Sequence, residues 1–139
     1  MNIKGFTEDL ELQKKGSEVQ VGDAFFMLKR YGTAECSEVL HNIRQSVIGP
    51  FYQENLMTND EHLECNAHLM VEYLIVGWRN LFDTNEEEVK YSRANSGKIF
   101  VANKGNWLSL NQFLMAHSSS YINYLYKQKD KDIESIKKL

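Results

Sequence analysis

At 139 residues, with 42% apolar and 25% charged residues, the chain has the size and composition of one globular domain, which excludes disorder throughout. A net charge of −3 lacks the strongly basic footprint of a dedicated nucleic-acid binder. One proline, Pro50, excludes Pro-rich linkers, and two cysteines, Cys36 and Cys65, are too few for a disulfide scaffold, so both read as free thiols of a reducing cytoplasm. The opening Met1-Asn2-Ile3-Lys4-Gly5 has no signal-peptide apolar core, and apolar runs such as Tyr73 to Val76 are far too short for a membrane span.

In chain order, Leu10-Glu11-Leu12 alternates apolar and polar, Lys14-Lys15-Gly16-Ser17 turns, Val19-Gln20-Val21 alternates again, and Ala24 to Leu28 runs apolar after Gly22-Asp23. Short alternating runs separated by glycine turns predict a small antiparallel sheet or hairpin. The period then changes. Thr33 can cap a helix carrying Val39, Leu40, Ile43 and Val47, stopped by Gly49-Pro50. Phe51 to Met57 adds about a turn of helix. Thr58 with Glu61 forms a capping box, and Leu63, Ala67, Met70, Val71, Leu74, Ile75 and Trp78 extend one apolar stripe, predicting a single long helix. Residues 83–88 are an acidic solvated loop and Val89-Lys90-Tyr91 is extended. Ser92 caps a short helix through Ala102, and Asn106 caps a last helix with Leu110, Phe113, Leu114, His117, Tyr121, Tyr124 and Leu125 on one side. The fold class is therefore α+β: a small N-terminal sheet packed on about four helices. Residues 1–126 form the single domain. Residues 127–139, with five Lys against three acids, read as a charged tail that frays or is disordered.

Residue types that carry chemistry are present, but their spacing is wrong for it. His62, Cys65 and His68 sit at i, i+3 and i+6, with Cys36 and His41 on another helix. Positions i and i+6 diverge by about 120° around a helix, so a zinc tetrad does not converge, and no metal or cofactor is expected. His117 beside Ser118-Ser119-Ser120 reads as a polar helix face, because adjacent helical residues point to different sides. Neither a nucleophile elbow nor a phosphate loop occurs, so no enzyme is expected. The helices do carry a surplus of large apolar side chains, among them Tyr73, Trp78, Phe82, Trp107 and Phe113. A domain this small leaves some of them exposed, as protein-binding surfaces do.

The order Leu10 to Gly16, Val19 to Asp23, Lys29-Arg30-Tyr31-Gly32, then Leu74-Ile75-Val76-Gly77-Trp78-Arg79-Asn80-Leu81 with Asp83, and Val89-Lys90-Tyr91-Ser92-Arg93-Ala94-Asn95 resembles the tail assembly chaperones of long-tailed bacteriophages. The resemblance covers about residues 9–126. Its most specific stretch runs from Trp78 to Asn95 and carries the motif residues Trp78, Asn80, Asp83, Ser92 and Asn95. Where that family carries Gly in the loop after the Trp motif, Asn85-Glu86 stands here, and Asn tolerates the left-handed backbone of a tight turn.

The resemblance implies a protein of the host bacterial cytoplasm, absent from the mature virion, that keeps the apolar tape measure protein soluble and promotes polymerisation of the tail tube protein. It also implies a longer product made by −1 frameshifting near Lys137-Lys138, through which the tube protein is met, and self-association along the client. Phe113, Tyr121, Tyr124 and Tyr126 are the expected partner surface, and Trp78 and Phe82 are expected to be structural. The alternatives are a phage-encoded regulator that binds host protein or nucleic acid through the basic C-terminal segment, and a small metalloprotein.

Overall fold

The structure, a computed structural model, describes residues 6–126. The predicted tail and the Lys137-Lys138 frameshift site lie outside the described residues. Strands β1 (Ser17–Val21), β2 (Ala24–Leu28) and β3 (Ile75–Arg79) form an antiparallel sheet in the order β1-β2-β3. Around it are helices α1 (Leu10–Lys15), α2 (Ala34–Val47), α3 (Asn59–Leu69), α4 (Arg93–Gly97) and α5 (Leu108–Ser119). The architecture is α+β, with a third strand that the sequence reading had placed in a helix.

β1 and β2 form the predicted hairpin across Gly22-Asp23, where Gly22 takes a φ of +60°. On β2, Ala24, Phe26 and Leu28 point inward and are buried. They join Leu69, Met70, Leu74, Phe100 and Leu114 in one core cluster. The Thr33 cap and the Thr58–Glu61 capping box form as the sequence predicts. The Glu61 N–H donates to Thr58 Oγ1 at 3.2 Å, and the Thr58 N–H donates to Glu61 Oε1 at 2.9 Å.

Three predicted elements are corrected. Leu10-Glu11-Leu12 is the start of α1, not a strand. Asp9 accepts the N–H groups of Glu11 and Leu12 at 3.0 and 3.3 Å, which makes it an N-cap. The helix closes on Gly16 at a φ of +103°, where a Cβ would lie 3.0 Å from Val76 Cγ2. A capped turn outweighs three residues of alternation.

The long stripe is also not one helix. α3 ends at Leu69, a π-helical turn spans Met70–Leu74, and Ile75–Arg79 is β3, with Phe26 opposite Trp78. β-branched Ile75 and Val76 with Gly77 favour extended backbone, and the open edge of β2 supplies hydrogen bonds that a lengthened helix would leave unmade. The last helix ends at Ser119, and Tyr121–Tyr124 forms a 3-10 turn. Ser119 Oγ bonds back to Met115 O at 2.7 Å, and Asn123 Nδ2 caps His117 O at 3.0 Å. No side chain caps the start of α5, so Asn106 does not serve that role.

The Trp78-to-Asn95 stretch is held by its own motif residues. Trp78 Nε1 donates to Val89 O at 2.7 Å, and Tyr91 meets the indole edge-on at 4.9 Å. Asn80 ends β3 with a φ of +58°. Asp83 Oδ1 accepts the N–H groups of Asn85 and Glu87, closing a small turn below the Phe82–Glu88 bridge. Ser92 Oγ accepts the Asn95 N–H at 3.0 Å, and Asn95 Nδ2 donates to Lys90 O at 2.8 Å. The left-handed residue of the acidic turn is Glu86, with a φ of +61°, not Asn85. Since a non-glycine residue is strained there, Glu86→Gly should raise stability by about 1 kcal/mol in urea unfolding.

Candidate apolar groove

A groove of about 430 Å³ opens between the β1–β2 hairpin, the segment after β3, and the first turns of α5. Its floor is Val21, Ala24 and Phe26, and its walls are Leu81 and Phe82 on one side and Trp107, Leu110 and Phe113 on the other. None of its lining residues is charged. The wall aromatics are open to solvent: Phe82 is 54% exposed, Phe113 51% and Trp107 37%.

The local sequence explains each placement. On α5, Leu110, Phe113 and Leu114 share a side: Leu114 is fully buried in the core, Leu110 packs half-buried against it, and Phe113 is exposed. Phe82 is presented by the short arm 80–89. The left-handed turn at Asn80 redirects the chain, the Val89 N–H donates to Leu81 O at 2.7 Å, and Val89 O is clamped by the Trp78 indole. The motif residues Trp78, Asn80 and Asp83 therefore build the arm that carries Phe82, while Ser92 and Asn95 start α4.

Of the four aromatics expected at a partner surface, only Phe113 lies in the groove. Tyr121 and Tyr126 are exposed elsewhere, near the N-terminal segment, where the Tyr126 N–H donates to Thr7 O. Tyr124 is 0% exposed, which removes it from any surface. Its Oη donates to Leu28 O at 2.7 Å, and Arg30 lies over its ring. α5 ends at Ser119, and the separate turn that follows packs Tyr124 under the sheet while Tyr121 stays exposed. Phe82, expected to be structural, is a groove wall. Trp107, one of the surplus aromatics but not of the expected partner surface, and Val21, expected only as a strand residue, complete the groove. The available signal was a large aromatic beside a polar turn, Phe82 before Asp83 and Trp107 after Gly105-Asn106.

The remaining candidates are tied into the fold separately. His41 Nδ1 contacts Tyr52 Oη at 2.6 Å and His68 Nε2 contacts Glu64 Oε1 at 3.3 Å. Cys36 and Cys65 are buried, and burial raises both thiol pKa values. Among the described residues, no group of three or more His, Cys, Asp or Glu is arranged to hold a metal ion. His117 Nε2 meets Ser17 Oγ at 3.0 Å, whereas Ser118 is buried and donates to Lys29 O at 2.6 Å, so the 117–120 run is a tie between α5 and the sheet. No described helix is long and apolar enough to cross a membrane.

Neither the curated proteins nor the solved structures contain a match to this chain. A family model, the YdaY prophage protein, matches residues 33–135. That match begins at the Thr33 cap of α2 and takes in β3, the Phe82 arm and α5, while β1 and β2 precede it. Spanning well over half of the sequence, it establishes that the chain belongs to the YdaY prophage protein family.

Proposed function

We propose that this prophage protein is a tail assembly chaperone that holds apolar helical segments of the tape measure protein in its groove, without catalysis or ATP, in the host cytoplasm. The client is passed to the tail tube protein, and the chaperone is absent from the finished virion. The observation that carries the reading is the uncharged groove with three exposed aromatic walls. The sequence resemblance and the prophage family support it.

Magnitudes fit a temporary holder. Completing the burial of the exposed parts of Phe82, Phe113 and Trp107 is worth about 1 kcal/mol each. One groove therefore grips weakly once association costs are met. Several copies along one long client gain by avidity and still let go one at a time. Apolar gripping also persists at high salt, where a phosphate-backbone contact would fade.

The test is co-expression with an aggregation-prone tape measure fragment. The wild-type chain should bring the fragment into the soluble fraction. The Phe82→Ser/Phe113→Ser variant, whose changes lie on exposed residues, should keep the fold and lose about 2 kcal/mol of binding, about 30-fold in affinity. Equal rescue by the two proteins, or rescue by neither, would overturn the assignment.

A further inference from the structure

A second cleft lies on the other side of the α5 N-terminus and shares no residue with the groove. It measures about 630 Å³, between the first turns of α3, the loop after the π-helical turn Lys98–Ala102, and α5. That volume is in the range of small-ligand sites. Leu63 and Leu108 give it apolar walls, and Asp60, Glu64, Lys104 and Asn111 give it polar ones.

The polar groups differ in what is already used. Glu64 is fully engaged: Oε2 pairs with Lys104 Nζ at 2.7 Å and Oε1 meets His68 Nε2 at 3.3 Å. The Lys104 hydrogen bond and charge hold the Glu64 carboxyl below its usual range, so it remains a carboxylate. Lys104, the cleft's one cation, is spent on that pair. Asp60 has no ion-pair or hydrogen-bond partner for its carboxylate among the described residues. Asn111 is only 9% exposed, yet its side-chain amide makes no hydrogen bond to any described residue and lines the cleft. The amide stays open to the cleft and is not sealed inside the protein, so a ligand that donates hydrogen bonds can reach it. What the cleft offers is a spare carboxylate, a spare amide oxygen and apolar walls, and its positive charge is already neutralised.

We propose that this cleft binds an ammonium or guanidinium group on an aliphatic stem, with the cation on Asp60 and Asn111 and the stem between Leu63 and Leu108. The chemistry is shared by the Arg or Lys side chain of a protein partner and by a free polyamine.

The test is NMR titration of the full chain with agmatine, with N-acetyl-arginine methylamide and with glutarate as the anionic counterpart. Agmatine or the arginine amide should shift the Asn111 side-chain NH₂ and the Leu63 and Leu108 methyls, saturating near about 1 mM. Tighter binding of the amide identifies a protein side chain as the natural ligand, and tighter binding of agmatine a free polyamine. Asp60→Asn, on an exposed residue, should fold normally and weaken binding about fivefold. The proposal is overturned if neither cation gives saturable shifts at these groups up to about 50 mM, if glutarate gives the same shifts, or if Asp60→Asn binds as the wild type does.

Discussion

Trp78→Ala should destabilise the domain by about 3–5 kcal/mol, the range for deleting a buried large aromatic, and against a typical total of about 5–15 kcal/mol leave it near unfolding at room temperature. The indole is 9% exposed, faces Phe26 across β2 and β3, and stacks edge-on with Tyr91. Its removal leaves a cavity between the sheet and the 80–92 segment and frees Val89 O. Trp78→Phe separates the two effects: most of the volume remains but the 2.7 Å bond to Val89 O is lost, for about 1–2 kcal/mol. Because Val89 anchors the arm that presents Phe82, Trp78→Phe should also speed amide exchange at Val89 more than in the core. Urea midpoints and hydrogen exchange measure both. Equal stability of Trp78→Ala and wild type would mean that the arm is not clamped as described.

Tyr124 gives the second large effect, read through pH. Desolvation by burial, only partly offset by the Ser118 hydrogen bond and the Arg30 charge, pushes its phenol up to about 12. In the unfolded chain the group titrates near about 10. The folded state therefore holds the proton more tightly. The corresponding stability is complete below about pH 10 and is lost as pH rises to about 12, amounting to about 3 kcal/mol. Burial raises the Tyr73 phenol as well, so its contribution has the same sign. Tyr124→Phe removes the proton and the bond to Leu28 O together. It should cost about 1–3 kcal/mol at pH 7 and make the fall between pH 10 and 12 shallower than in the wild type. Lysine titration is common to both proteins and cancels in the difference. Parallel losses in the two proteins would show that Tyr124 does not titrate in that window.

Much of the fold was legible because it rests on local chemistry. Thr33, the Thr58–Glu61 box, the Gly22-Asp23 turn and Ser92 each satisfy backbone groups within a few residues, and such signals need no knowledge of the rest of the chain. What failed depended on distant partners. Residues 75–79 fit a helical stripe on their own and become a strand only because β2, about 50 residues earlier, has an open edge. The same holds for the site. Phe113 was identifiable from its helix, but the groove needs Val21, Phe82 and Trp107 from three segments, and no period along the chain links them. Tyr124 was misplaced for a related reason. Helical spacing put it with Tyr121, and the Ser118-Ser119-Ser120 run ended the helix before that spacing could apply.

The two tryptophans allow the central claim to be read directly. In a titration of the full chain with an apolar helical peptide from the tape measure protein, the indole N–H resonance of Trp107, in the groove wall, should move together with the Phe82 and Phe113 rings, while that of Trp78, bonded inside to Val89 O, stays in place. A peptide that binds and shifts Tyr121, Ile122 and Tyr126 instead, with Trp107 unmoved, would contradict the account.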